Sequence, residues 1–299
     1  MRRPDFFIVG APKSATTAMH EYLRAHPQIF MPDSKEFHYF GTDLVRLRTP
    51  RPAEAEYLSY FEGATDELRV GEASVLYLQS TRAAHEICQF SPQARILIML
   101  RNPVEMMHAL HSEMLSIGME EIRDFGDALA AEPDRAVGAR VPLATNLVDA
   151  LLYRASAHFV PQVQRYIGVF GSDRVHVLLF DDLRADTSAA YRSVLEFLDV
   201  DPTFAPSFTV VNPAKRPRSQ LVRDLAATPP DWLRHIARAT VTRRMRKRAY
   251  KVIHGLNSRR AARPPIDPIL RAQLVKEFAP EVAELGNLLG RDLSAWSRE

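Results

Sequence analysis

Four runs of apolar residues punctuate the chain, Phe6 to Gly10, Val70 to Ala73, Ile96 to Leu100 and Val175 to Phe180. They are continuous rather than alternating, which is the pattern of parallel strands buried on both faces. Between them the apolar residues recur at helical spacing. Met19, Tyr22 and Leu23 follow Thr16 in this way, and a second helix is predicted from Thr81, with Ile87 and Cys88 along it. Strands alternating with helices predict crossover units, and therefore an α/β fold of three layers with a central parallel sheet flanked by helices and a helical C-terminal portion. At 299 residues and 46% hydrophobic composition the chain is long enough for one sizeable core, since chains of this length bury roughly three-quarters of their extended surface. A single domain over 1–299 is expected, its core to about residue 212 and its remainder from about 213. No internal repeat or low-complexity tract interrupts it.

The first apolar run hands directly to Gly10-Ala11-Pro12-Lys13-Ser14-Ala15-Thr16-Thr17, a lysine and hydroxyl cluster that opens a helix. A strand–turn–helix junction of this kind aims orphan backbone N–H groups and the positive end of a helix dipole at one spot, a P-loop-like anion cradle. It is not the nucleotide-binding P-loop itself. Lys13 stands three residues after Gly10, and Ala15 replaces the second glycine which that signature requires. The alternative for the same residues is an ordinary helix cap by Ser14 or Thr16.

The loop resembles the 5′-phosphosulfate loop of sulfotransferases that use 3′-phosphoadenosine 5′-phosphosulfate (PAPS). Two further segments agree in order. Ser34-Lys35-Glu36-Phe37-His38-Tyr39-Phe40 is similar to the Lys-Glu-x-His-Phe-Phe segment of the carbohydrate-type branch, and Ile96-Leu97-Ile98-Met99-Leu100-Arg101-Asn102-Pro103-Val104-Glu105 to the family's strand ending in Arg-Asn/Asp-Pro. Weaker matches are Gly71-Glu72-Ala73-Ser74, the strand and acidic turn Val177 to Leu183, the stretch Asn212 to Ser219, and the closing Gly290-Arg291-Asp292-Leu293-Ser294-Ala295-Trp296. Together they cover nearly the whole chain.

The resemblance implies a soluble, bacterial-like member that uses PAPS as donor, releases 3′-phosphoadenosine 5′-phosphate (PAP), and needs no metal. Lys13 would neutralise the bridging oxygen as the nucleotide leaves, with Ser14, Ala15, Thr16 and Thr17 donating to the 5′-phosphate. Glu36 would be the general base, and His38 would orient the acceptor or relay the proton. Arg101 would grip the 3′-phosphate, and Lys215, Arg216 and Arg218 would form a second cationic clamp, with Arg218 favoured by register. Sulfuryl transfer, like phosphoryl transfer, needs mainly positioning and charge stabilisation, and these residue types supply both. The acceptor is expected to be a hydroxyl of a carbohydrate, glycolipid or small molecule.

Two positions depart from the family pattern. A serine that usually provides a second 3′-phosphate ligand is replaced by Ala109, which leaves Ser112 or His108 for that role. Several glycosaminoglycan-acting relatives carry a lysine where this chain has Ala73, so Lys35 or another cation substitutes, or the acceptor differs. Each matched residue also has a plainer reading. Glu36 could be a surface acid paired with Lys35, His38 a ring packed beside Phe37, and Arg101 the partner of Glu105 at i+4.

The net charge of +3 conceals one strong run: Arg243, Arg244, Arg246, Lys247, Arg248, Lys251, Arg259, Arg260 and Arg263 follow one another with no acid between them. Trp232, Leu233, Ile236, Met245, Val252, Ile253 and Leu256 interleave with them, so the segment 234–263 could lie against a membrane surface as a basic amphipathic helix. No specific nucleic-acid partner is expected. A basic binding module with a degenerate cofactor site is nevertheless one alternative function, and a nucleotide-dependent small-molecule kinase is another. Cys88, the sole cysteine, excludes an intrachain disulfide and is expected as a small buried filler. Neither a signal-peptide core nor a run of about 18 apolar residues is present, from which a cytoplasmic protein is expected. The histidines show no metal-ligand spacing, and the oligomeric state is not legible.

Overall fold

A computed structural model describes residues 2–208, 215–217, 258–260 and 263–298. Its first half alternates β1 (Phe6–Gly10), α1 (Thr16–Arg24), β2 (Ile29–Phe30), α2 (Glu54–Ser59), β3 (Arg69–Ala73), α3 (Ala83–Phe90), β4 (Arg95–Leu100) and α4 (Pro103–Ile117). Four helices follow, α5 (Phe125–Ala130), α6 (Glu132–Ala136), α7 (Tyr153–Ala157) and α8 (Phe159–Phe170). They lead to β5 (Val175–Leu179), α9 (Phe180–Ala185) and α10 (Thr187–Phe197). Five strands form one sheet in the order β2-β3-β1-β4-β5, and every pairing is parallel. The predicted three-layer α/β architecture is the observed one.

The continuous apolar runs have the reason the pattern implied. Along β1, Phe7 and Val9 join the core on one face of the sheet and Phe6 and Ile8 the core on the other, and all four are fully buried. β4 behaves alike, with Ile96, Ile98 and Leu100 on one side and Leu97 and Met99 on the other. Burying a side chain of this size stabilises the fold by about 1.5–3 kcal/mol, so the central pair β1–β4 anchors the sheet. Two details differ from expectation. Phe180 opens α9 rather than closing β5, and Cys88 on α3 is half-exposed against the core edge rather than fully buried.

Because β1 is central and the chain moves to β4 on its other side only after completing β3, the sheet reverses order between β1 and β4. Crevices at such switch points, outside the carboxyl ends of the strands, are where α/β sheets bind ligands. Local chemistry fixes the helices around it. Asn102 caps α4 by accepting from the Val104 and Glu105 N–H groups at 3.0 and 3.2 Å, Pro103 fills its first turn, and Gly118 ends it in a left-handed conformation. The C-terminal helix α11 (Pro268–Leu289) starts on an Asp267 cap and packs on α4 and α8.

The tail after α11 returns to the crevice. Trp296 donates its indole N–H to Asp181 at 2.5 Å, Arg291 pairs with Asp182 at 2.8 Å, and Asn102 donates to the Trp296 carbonyl at 3.0 Å. The acidic turn and the closing motif singled out in the sequence are thus two halves of one contact.

Of the expected clamp, Lys215 and Arg216 are described as backbone only, in β6 (Lys215–Pro217), paired antiparallel with β7 (Ser258–Arg260). Arg218 lies outside the described residues, as does the basic segment 234–263 apart from β7 and Arg263. No helix among the described residues is long and apolar enough to cross a membrane.

Candidate active site

The loop after β1 is shaped by two left-handed residues, Lys13 at φ 60° and Ala15 at φ 67°. A backbone that alternates in this way turns successive N–H groups toward one concave side. Ala15 is the N-cap of α1 and makes no side-chain cap bond. Neither Ser14 nor Thr16 therefore caps the helix: the fully buried Ser14 hydroxyl points back to the Pro12 carbonyl at 3.4 Å, and Thr16 lies 3.5 Å from the Lys35 ammonium. The plain capping alternative falls, and among the described residues no side chain accepts from the first-turn N–H groups of α1. Helix N-terminal donors, the helix dipole and two lysines at one junction are the chemistry that suits an anion. Lys13 is meanwhile paired with Glu113 of α4 at 3.1 Å.

Glu36 and His38 lie beside this cradle, on an irregular segment rather than an extended one, with φ of 63° and 48°. They nevertheless share a side. One Glu36 oxygen is 2.9 Å from Lys35 Nζ. The other accepts from the Val75 N–H at 3.0 Å and faces His38 Nε2 at 3.4 Å. Burial pushes the Glu36 carboxyl up, but the Lys35 ammonium, His38 and the Val75 N–H together outweigh it and hold the group below the usual glutamate range. Burial, reinforced by Arg46, Lys35 and Arg51 against the pull of Glu36, lowers His38, so its ring is neutral near pH 7.

A buried network supports the segment from beneath. Glu72, 1% exposed on β3, accepts from Ser74 at 2.6 Å, Tyr57 at 2.8 Å and Tyr77 at 3.3 Å. Ser74 Oγ in turn accepts from the His38 N–H at 3.1 Å, and the Tyr77 hydroxyl accepts from the Tyr39 and Phe40 N–H groups at 2.8 and 3.2 Å. Arg46 closes the other side by donating to the His38 carbonyl at 2.7 Å. Four backbone groups of residues 38–40 are thereby tied down, which is what keeps the left-handed conformations in place. Burial raises Glu72 to about 7, against the three hydroxyl donors that stabilise its charge.

On the far side of the loop from Glu36, Arg101 is held at the end of β4: it lies over the Phe180 ring at 4.7 Å and reaches the Lys13 carbonyl at 3.4 Å. Its expected partner Glu105 is 3.8 Å away but is held more closely by Arg271 at 2.6 Å, so the Arg101 guanidinium stays available to an anion. Arg263 and His108 share this end. Burial first, then the Arg263 charge, push His108 down to about 4, so it is a neutral donor or acceptor beside two cations. Ser112 lines the same cavity, its hydroxyl donating to the His108 carbonyl at 2.9 Å, and Ala109 presents only a methyl group.

These groups surround one cavity of about 890 Å³, walled by Lys13, Ala15, Thr16, Thr17, Lys35, Glu36, His38, Arg101 and Ser112, with Ser14 buried behind the loop. Residues 13 to 112 of the expected site therefore converge. Sequence reasoning missed Glu113, Arg263, Phe180 and the network on Glu72. Glu113 had a signal: it lies one helical turn beyond Ala109 and so faces the same side of α4. Arg263 and Phe180 are brought in by long-range packing alone.

Comparison with known proteins bears on the fold and the family. A crystal structure of a sulfotransferase from Alicyclobacillus acidocaldarius superposes with a TM-score of 0.75 at 30% identity, covering 100% of both chains. Human carbohydrate sulfotransferase 15 is 30% identical over 148 residues, 36% of this chain and 26% of that protein. The human bifunctional heparan sulfate N-deacetylase/N-sulfotransferase 2 is 24% identical over 217 residues, 67% of this chain and 22% of that protein. The chain thus spans about a quarter or less of the length of these curated relatives. The model of the sulfotransferase family matches residues 4–205, and with more than half of its length so matched, the chain belongs to the sulfotransferase family.

Proposed function

We propose that the protein transfers a sulfuryl group from PAPS to a hydroxyl of a carbohydrate, glycolipid or small-molecule acceptor, in line and with Glu36 as general base. The observation that carries this reading is that three functions line one cavity: a helix N-terminus with Lys13 and no side-chain cap, the Arg101 guanidinium, and the Glu36–His38 carboxylate–histidine pair. The two cationic ends suit the 5′-phosphosulfate and the 3′-phosphate respectively, with Ser112 or His108 beside Arg101 in place of the serine absent at Ala109. Lys215, Arg216 and Arg218 remain proposed contributors to the second clamp.

In this mechanism the α1 N–H groups with Thr16 and Thr17 fix the donor's phosphate, while Lys13 turns from Glu113 to the bridging oxygen and balances the charge left on the nucleotide. Glu36 accepts the acceptor's proton as its oxygen attacks sulfur. The charge balance at Glu36 gives the base its timing. An anion at Thr16 draws the Lys35 ammonium toward itself, and with that cation shared, burial pushes the Glu36 carboxyl upward into a range where it takes a proton more readily. His38 Nε2 orients the carboxylate.

The test is a transfer assay with sulfur-labelled PAPS and an acceptor panel, in buffer containing a chelator. Labelled product formed by the wild type and lost in Lys13→Ala upholds the reading. Turnover that depends on ATP and magnesium, with none from PAPS, would replace it with the kinase alternative.

A further inference from the structure

From Glu36 the cavity continues along α4, away from Arg101, and its wall changes character. Leu110, Met114 and Ile117 recur at i, i+4 and i+7, so they form one stripe on the cavity side of the helix. Leu76, the neighbour of the Val75 whose N–H holds Glu36, lines the same space, as do Met119 and Leu147, with the uncharged Ser116 and Asn146 as the polar members of this stretch. Leu76, Leu110, Met114 and Leu147 belong to the main core, yet each also borders the cavity. The stretch of α4 from Ala109 to Ile117 is about 12 Å long at the helical rise of about 1.5 Å per residue.

Charge divides the cavity in the same way. The lysines and arginines among its described lining residues are Lys13, Lys35, Arg101 and Arg263. Each is tied to the donor end: Lys13 to the loop, Lys35 to Thr16 and Glu36, Arg101 to the Lys13 carbonyl, and Arg263 by its field on Arg101 and His108. At the junction between donor end and apolar arm stands the Glu113 carboxylate. A polyanionic acceptor threading past Glu36 would meet that carboxylate and no lysine or arginine among the described residues lining the arm; Arg46, beside Leu147, is turned to the His38 and Thr49 carbonyls. It would also have to strip its hydration against leucine and methionine, which is unfavourable for a charged group.

Resting on the sulfuryl-transfer reading above, we infer that the acceptor is an uncharged alcohol carried on an aliphatic, lipid-like skeleton, which lies in the apolar arm while its hydroxyl reaches Glu36. In the reaction the alcohol oxygen forms the new O–S bond, its proton passes to Glu36, and the S–O bond to the phosphate breaks to release PAP. Atoms and charge balance without an oxidant or a further co-reactant.

The experiment measures affinities of 1-butanol, 1-hexanol and 1-octanol for the protein, free and PAP-loaded, by ligand-observed NMR, with glucose and a sulfated disaccharide as comparison ligands. Burial in the arm should tighten binding about fourfold per methylene. Ile117→Asp, at a half-buried position, should weaken octanol at least tenfold, its PAP affinity reporting that the fold is intact. A flat series, or a sulfated disaccharide that binds better than octanol, overturns the inference. A steep series in a protein that does not bind PAP upholds the apolar arm and overturns the donor assignment, so the two failures are distinguishable. Alternatively, preferential sulfation of octanol over glucose by the PAPS-loaded enzyme supports both.

Discussion

Glu36→Gln separates chemistry from binding most cleanly. The amide is isosteric and keeps an oxygen for the Val75 N–H, now 3.0 Å from the carboxylate, so the segment between Ala73 and Tyr39 should hold its shape. What it loses is the ability to take a proton. A positioned base contributes about 10² to 10⁴ in rate, which is about 3–5 kcal/mol of barrier. The same change releases Lys35 from its 2.9 Å partner. Because a partly exposed pair is worth about 0.2–1 kcal/mol, PAP affinity should stay level or tighten by no more than about fivefold. Single-turnover transfer with excess enzyme reports the chemical step, and calorimetry reports PAP. The wild-type kcat/KM, which reports the free enzyme, should also persist as pH falls through the ordinary glutamate value of 4.5 and decline only below it, because the Glu36 carboxyl is held low before the donor binds. A variant within threefold of the wild-type rate, or one that no longer binds PAP, would refute the assignment of Glu36 as the base.

Arg101→Ala removes a guanidinium available for charge-assisted bonds to a 3′-phosphate, each worth about 1.5–3 kcal/mol. PAP affinity should fall by about 10²-fold while AMP affinity changes little, as titration of the two would reveal. Glu113→Gln frees Lys13 from a 3.1 Å pair that donor binding must otherwise break, so PAP should bind up to about fivefold more tightly in the variant; weaker binding would contradict the proposed exchange of partners. Glu72 sits at about 7 in the fold against 4.5 ordinarily, so its contribution to stability is present below 4.5 and lost as pH rises through 7. That is about 3 kcal/mol at about 1.4 kcal/mol per unit. Denaturant titrations from pH 5 to 8 should show the decline in the wild type, and Glu72→Gln should flatten it. Gly10→Ala would place a Cβ 2.5 Å from Leu78 Cβ and 2.8 Å from the Val75 carbonyl, where overpacking costs about 1–3 kcal/mol; an unchanged Tm would show that this approach can relax.

The sheet was legible because burial on both faces leaves no polar alternation, as Phe6 to Val9 and Ile96 to Leu100 show on opposite cores. The anion loop was legible because it is local: a strand end, a lysine and a helix start within a few residues. The Glu36–His38 pair was found by motif, but what aligns it is two left-handed residues, held by Glu72 of β3 and by Ser74 and Tyr77 just after it. Such support depends on tertiary contacts that no spacing in the chain encodes. The same holds for Glu113 against Lys13, and for Trp296 against Asp181, whose two motifs could be recognised singly but not as partners. Cys88, expected inside, lies at an edge because helical periodicity gives the direction of a side chain without the depth of what covers it.

The central claim, a cavity built for a 3′-phosphorylated nucleotide, is tested most directly by calorimetric titration of PAP in chelator-containing buffer, with AMP and ADP as comparisons. The expected result is micromolar or tighter binding of PAP, with AMP and ADP at least about tenfold weaker, since Arg101 alone offers bonds worth that much to the extra phosphate. Equal affinity for ADP, or no PAP binding at all, would contradict it.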